Sequence, residues 1–448
     1  MHSRICCVIF LLLTACSNYG DKMLQSASST TTGTVTPSGA GTRSGTEDLT
    51  WNKAVGGSNA ERSYKTAVDS SGNVYVIGAN QNFVSGVSGN DWVIRKYNSA
   101  GTEITAGWPI AANGSANASD VPQAIVVDKN GDIYVAGSCI VTGSSYADWC
   151  IKKFSASGIE NTAQWNLRFS SSFDQTDTIQ ALAVDSQNNL YVAGTGFNLV
   201  TAGSSAGDWW IKKFSSTAIE DQTNWNKKFD GGAGATVNDL VIDAGDNVYA
   251  VGYGYNLING TSGYDWWLKK FSSIGVEDTG NWDKKFPVSG SAEEVAYGVA
   301  LDSSGNVYVV GCGTNLVSAS SGVDWWLKKF SSSGIEDTLN WDKKFSSSGT
   351  QEDRAFSVAV SAAGYVYVAG FGTNLLSVSS GNDGWVKRFT TSGAEDTTNW
   401  NKTIGTSGVD QMNKVTLSGS GHVYVSGFGN NLVNGSSQAD WWIKKYTE

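Results

Sequence analysis

A signature of Asp-Trp-Trp followed by Ile/Leu-Lys-Lys-Phe returns along this chain, with substitutions, at near-constant spacing. Its aspartates are Asp91, Asp148, Asp208, Asp265, Asp324, Asp383 and Asp440, separated by 57, 60, 57, 59, 59 and 57 residues. A period of this size means one supersecondary unit copied seven times, and such a unit buries its apolar faces only against its neighbours. The array fills everything after the first fifty of 448 residues. With 53 Gly, only 4 Pro, and 18 Trp, 17 Tyr and 16 Phe, the composition suits many short strands joined by turns.

Aligning the copies gives four strand-like runs, here A to D. In the fifth copy they are Tyr297 to Leu301, Val307 to Val310, Trp325 to Phe330, and a run opening at Trp341 and ending at Phe345. The second carries a recurrent tyrosine: Tyr75, Tyr134, Tyr191, Tyr249, Tyr308, Tyr367 and Tyr424. Three residues before it stand Gly72, Gly131, Asn188, Asp246, Gly305, Gly364 and Gly421. Only residue types that tolerate a left-handed backbone occur there, so the A–B connection is read as a tight turn with φ > 0. Three residues earlier again come Asp69, Asp128, Asp185, Asp243 and Asp302, then Ser361 and Ser418. Their side-chain oxygens are suited to close the turn on backbone N–H groups. A Ca²⁺ loop is disfavoured, because no run supplies enough oxygen ligands.

Adjacent tryptophans on one strand point to opposite faces, so strand C is expected to be buried on both sides, between two similar sheets. Seven four-stranded sheets around an axis make a β-propeller. The run Asp-Ser-Ser-Gly-Asn-Val-Tyr-Val-x-Gly, at Asp69 to Gly78 and Asp302 to Gly311, is similar to the SBBP β-propeller repeat of bacterial envelope and secreted proteins. The resemblance covers residues 51 to 448 and implies an all-β, seven-bladed propeller of four-stranded antiparallel blades. It implies no shared catalytic residues. Asn188 and Asp246 at the turn glycine, Ser361 and Ser418 at the turn aspartate, and Gly384 for the first tryptophan of copy six depart from the pattern.

The array begins with a D-type run, Trp51 to Val55, and stops after a C-type run, Trp441 to Tyr446. The first run is therefore expected to complete the last blade and close the ring.

Residues 1–15 read as a leader, with Arg4 ahead of an apolar stretch from Ile5 to Leu13 that is too short to span a bilayer. Leu13-Thr14-Ala15-Cys16 resembles the bacterial lipobox. That resemblance implies lipidation of Cys16 and, with Ser17 following, the outer membrane. Residues 16–49 are rich in Ser, Thr and Gly and read as a flexible tether spanning about 30 Å. The propeller is assigned residues 50–448. Among the remaining cysteines, Cys139 and Cys150 fall on neighbouring strands. A disulfide or two small buried fillers are both open, and Cys150 standing where other copies have Trp210 and Trp267 favours the fillers.

A net charge of −10 argues against a nucleic-acid partner. No metal cluster, phosphate loop, dinucleotide fingerprint or Ser-His-Asp order is present, so neither metal nor cofactor is expected. The expected chain is a monomer, tied to a membrane through its lipid. The aspartate before each tryptophan pair reads as a structural hydrogen-bond acceptor. Function is expected on the B–C face, where Phe197, Tyr253, Tyr255, Phe371 and Phe428 open the loops and differ between copies. The leading expectation is a non-enzymatic platform for protein or glycan partners. A carboxylate-dependent glycan-processing enzyme and an accessory factor in outer-membrane protein assembly are the alternatives.

Overall fold

The computed structural model describes residues 45–448, apart from 57–60, 82–88, 113–118, 141–145, 172–174, 202–205, 259–262, 288–291, 348–349, 378–379, 407, 431 and 434–438. The leader, Cys16 and most of the tether lie outside the described residues. No helix among the described residues is long and apolar enough to cross a membrane.

Seven antiparallel sheets follow one another along the chain. The first blade holds Glu61–Val68, Val74–Gln81, Asn90–Tyr97 and Ile110–Ala112 as strands A to D. The other A strands are Val121–Val127, Thr178–Val184, Ala235–Ile242, Val295–Leu301, Arg354–Val360 and Asp410–Leu417. Each A strand touches the next, and the seventh touches the first, so they form the inner wall around an axis. One extra strand, Ala292–Glu293, pairs in parallel with strand C of blade four, Gly263–Phe271.

The ring closes as the matching ends predict. Lys53–Val55 pairs antiparallel with Ala439–Thr447, placing Ala54 opposite Trp442. The segment before it copies the corner found within other blades: Glu47 bridges Tyr446 and lies 2.7 Å from Lys444, as Glu395 lies 2.5 Å from Lys387. Across the seam the hydroxyls of Thr66 and Thr416 meet at 2.8 Å.

The tryptophan pairs join the blades. Trp209, Trp266 and Trp325 donate their indole N–H to the carbonyls of Tyr253, Cys312 and Phe371 in the following blade. Their rings pack 4.7–4.9 Å from Trp267, Trp326 and Trp385, the second tryptophans of that blade. Each pair thus faces both ways, as two-sided burial requires. Blade six has Gly384 in the first position, and Met412 fills the gap, with its Cε 2.8 Å from where a Cβ would stand.

The seven turn positions all have left-handed backbones, from φ 59° at Asp246 to 83° at Gly131. Asp302 accepts the N–H groups of Ser304 and Asn306 at 2.9 Å and the Tyr308 hydroxyl at 3.0 Å. Asp69, Asp185 and Asp243 do the same with Tyr75, Tyr191 and Tyr249. The aspartates before the tryptophan pairs accept loop N–H groups, Leu257 on Asp265 and Leu316 on Asp324, both at 2.7 Å.

Three expectations need correction. The D strand of blade five is Lys343–Phe345 and excludes Trp341, whose N–H closes a turn on the Asp337 carbonyl while its indole reaches Thr391 of the next blade. Strand B runs on past the Gly-x-Gly segment, to Thr373 in blade six, because strand C is long enough to pair with it throughout. All five candidate residues, Phe197, Tyr253, Tyr255, Phe371 and Phe428, therefore sit in strands rather than loops. Finally, Cys139 and Cys150 form a disulfide, not two fillers. Cys139 is opposite Asp148, so Cys150 is its diagonal neighbour on the same face, with Cα atoms 5.9 Å apart.

Candidate ligand site at the axial tunnel

Every inner strand carries a β-bulge at the same height. The bulged residues are Tyr64, Gln123, Gln180, Asn238, Tyr297, Phe356 and Asn413, which fall at the register shifts. All seven are partly exposed although they sit on the innermost strand, so they line the axis. A bulge re-aims one side chain and leaves its backbone unpaired. Here the amides of Asn238 and Asn413 each donate at 2.8 Å to the next blade, on the carbonyls of Ala296 and Ser63.

One step toward the B–C face, the positions paired across strands A and B form the tunnel mouth. They are Arg62 with Ala79, Thr178 with Thr195, Thr236 with Tyr253, Val295 with Cys312, Arg354 with Phe371, and Gln411 with Phe428. The middle residue of the Gly-x-Gly segment is thus a mouth position. Tyr253, Phe371 and Phe428 are buried there, while Phe197 and Tyr255 stand two residues further out and are half-buried.

The structure brings some of the five candidate residues together and leaves others apart. Tyr253 and Tyr255 both pack on Tyr264, at 5.0 and 5.3 Å. Phe371 packs on Phe356 at 5.6 Å, and Phe356 on Tyr297 at 5.0 Å. Tyr297, Tyr264, Tyr253 and Cys312 share one apolar cluster, so a continuous aromatic wall runs across blades four to six. Phe428 lies instead under the guanidinium of Arg62, 5.2 Å from its ring. Phe197 is held by its backbone N–H, which donates to Ser171 and Asp177 on blade three.

Within the aromatic wall sits Arg354. It forms a two-pronged pair with Glu293 at 2.5 and 3.2 Å, bonds the Tyr297 hydroxyl at 3.1 Å, and reaches Glu352 at 3.2 Å. Its Nη1 is 3.6 Å from the Cys312 sulfur. Burial pushes the Cys312 thiol up to about 12, so it stays protonated and unreactive at neutral pH. Burial also raises the Tyr264 hydroxyl, and the nearby Glu293 charge adds to the effect. The cluster offers flat rings, one shared guanidinium and neutral hydroxyl donors, which suits recognition more than proton transfer. Among the described residues no group of three or more His, Cys, Asp or Glu is placed to hold a metal.

A ring of acids behind the mouth escaped the sequence reading. Glu61, Asp120, Asp177, Glu294, Asp353 and Asp410 stand just before or at the start of six inner strands, with Ala235 in the seventh. Burial raises Asp177 and Asp410 to about 6, and the neighbouring aspartates Asp148 and Asp383 contribute. Asp120, Asp177, Glu294 and Asp353 accept the N–H groups where strand B ends, as from Thr373 on Asp353 at 2.8 Å, while Glu61 accepts the Asn80 amide and Asp410 the Thr406 N–H. The signal was present, because an acid recurs at one repeat position, but Asp, Glu and Ala alternate there.

Two surface hollows lie elsewhere. One, of about 520 Å³, opens between blades six and seven beside Ile404, where blades two to five carry Phe169, Phe229, Phe286 and Phe345 as wedges. The other, of about 370 Å³, sits among the A–B turns of blades two to four. Neither meets the aromatic mouth.

Residues 114–139 match the SBBP beta-propeller repeat, covering the inner strand of blade two and its partner. No curated protein matches the chain. Among solved structures, the chain is similar to a protein of unknown function from Dyadobacter fermentans, at 9% identity and TM-score 0.48, covering 89% of this chain and 98% of that one. It is also similar to an alpha-L-arabinanase of Penicillium chrysogenum, at 12% identity and TM-score 0.43, covering 88% and 96%. A third likeness is to PorZ, a surface component of the type-IX secretion system of Porphyromonas gingivalis, at 11% identity and TM-score 0.45, covering 86% and 46%. Likenesses this distant speak to the fold and carry nothing about activity.

Proposed function

We propose that this protein is a lipid-anchored envelope platform that binds a glycan or protein partner at the B–C mouth of its propeller, without catalysis. One observation carries the reading. At the mouth of blades four to six, Tyr253, Tyr264, Tyr297, Phe356 and Phe371 gather beside the Arg354 guanidinium. Aromatic rings beside a guanidinium present stacking faces and fixed donors, the usual currency of oligosaccharide or peptide recognition.

The test is binding of the purified propeller to an oligosaccharide array and to envelope extracts, with Tyr264→Ala and Phe356→Ala as probes. Both rings are partly exposed, so the fold should survive, and any bound species should be held at least tenfold more weakly. Undiminished binding by both variants would refute the site. The anchor is tested apart: Cys16→Ser should move the protein from the membrane to the soluble fraction.

The enzyme reading rests on Glu293 and Glu352, which converge on Arg354. Glycoside hydrolysis needs one carboxyl protonated and one free. Both carboxylates are instead tied to one guanidinium. Release of reducing ends from a polysaccharide that Glu293→Gln abolishes would overturn the non-enzymatic reading.

A further inference from the structure

The residues one step past the bulges point toward the next blade. Asp239 accepts the Val299 N–H, and the Ser357 hydroxyl accepts that of Val415, both at 3.2 Å. Most of these positions are small or anionic. In blades one and seven they are Lys65 and Lys414. Lys65 passes the edge of blade two and donates at 2.6 Å to the Gln180 carbonyl on the bulge of blade three, so its ammonium lies against the tunnel wall. Among the described residues the Lys414 ammonium makes no hydrogen bond or ion pair, and it lies close enough to act on Lys65 electrostatically. The Asp239 charge acts on Lys65 in the opposite sense.

The buried lysines of strand C, such as Lys212, Lys269, Lys328 and Lys387, each pair with a glutamate, whereas Lys65 and Lys414 stand on the innermost strands. A lysine drawn into a low-dielectric passage beside a second lysine costs stability, and the single carboxylate of Asp239 leaves the group net positive. We propose that Lys65 and Lys414 form an oxyanion site in the axial tunnel, taking the carboxylate or phosphate of a small ligand or of a terminal group threaded along the axis. It lies on the blade seven and one side, so it stands or falls independently of the aromatic mouth.

Sodium glucuronate and sodium phosphate are the probes, titrated calorimetrically into the full chain against glucose and sodium chloride at matched ionic strength. Saturable binding of either oxyanion, at least tenfold weaker in both Lys65→Met and Lys414→Met, is the expected result. The arm that binds identifies the source. Binding that equals chloride, or that survives both substitutions, overturns the site.

A second readout needs no variant. Burial pulls Lys65 down to about 8, with Lys414 adding to the fall and Asp239 opposing it. The Tyr64 hydroxyl is raised by burial and stays neutral. Binding should therefore weaken tenfold or more between pH 7 and 10 as Lys65 loses its proton. An affinity flat across that interval overturns the assignment.

Discussion

At the scale of single residues, the side chains that recur most strictly are those that join blades. Trp266 fills an interblade gap with one face and satisfies the Cys312 carbonyl with its N–H. Trp266→Ala leaves a cavity and an unpaired carbonyl, and should lower stability by about 3–5 kcal/mol, read as a shift in the urea midpoint. Gly384→Trp, though it restores the repeat, should also destabilise, because Met412 already occupies the space. The turns make a gentler prediction. Asn188→Gly should be nearly neutral, whereas Gly305→Ala, at φ 76°, should cost about 1–2 kcal/mol. A larger loss at Asn188 than at Gly305 would contradict the turn argument.

At the scale of strands, closure by Lys53–Val55 carries the prediction. Removing residues 45–56 strips strand D from blade seven and bares Trp442, which lies opposite Ala54. The melting temperature should fall, and proteolysis should begin within Ala439–Thr447. Unchanged protection of that strand would mean that the seam is held by the inner strands alone, through contacts such as Thr66 with Thr416. Strand number, turn chemistry and closure were legible in the sequence, because each repeats in register and each residue type has one conformational job. The bulges were not legible. A bulge here has no fixed residue type, as Tyr64, Gln180 and Phe356 show, and it displaces only one position. The disulfide was also obscured, since Cys150 takes a tryptophan position and its partner is identified only by pairing. Of the five mouth residues chosen for their variability, Tyr253, Tyr255 and Phe371 joined the aromatic wall, and Phe197 and Phe428 did not.

For the whole molecule, two populations of carboxylate set the response to pH. Burial holds Asp177 and Asp410 near 6 when folded, against about 3.9 unfolded, so the folded state binds more protons between those values. Their favourable contribution is complete below pH 4 and is lost as pH rises through 6. At Asp185, Asp243 and Asp302 burial pushes upward, but hydrogen bonds from Asn189, Asn247 and Asn306 and from turn N–H groups outweigh it and hold these acids low. Their contribution is present above pH 4 and is lost as pH falls through their folded values. Stability should therefore peak between about pH 4 and 6 rather than at neutrality. Asp410→Asn should flatten the decline from pH 5 to 7.5 in thermal unfolding. A profile that rises steadily from pH 4 to 8 would sink this account.

The seam also fixes an order in time. Lys53–Val55 is synthesised early, and Ala439–Thr447, the strand it must pair with, is synthesised long after it. At roughly 5–20 residues per second, the early strand waits about 20–80 seconds for its partner. Blades one to six contain all their own strands, but the circle cannot shut without Ala439–Thr447. A chain cut before Ala439 keeps six finished blades and one open seam, where proteases and partners meet an unpaired edge.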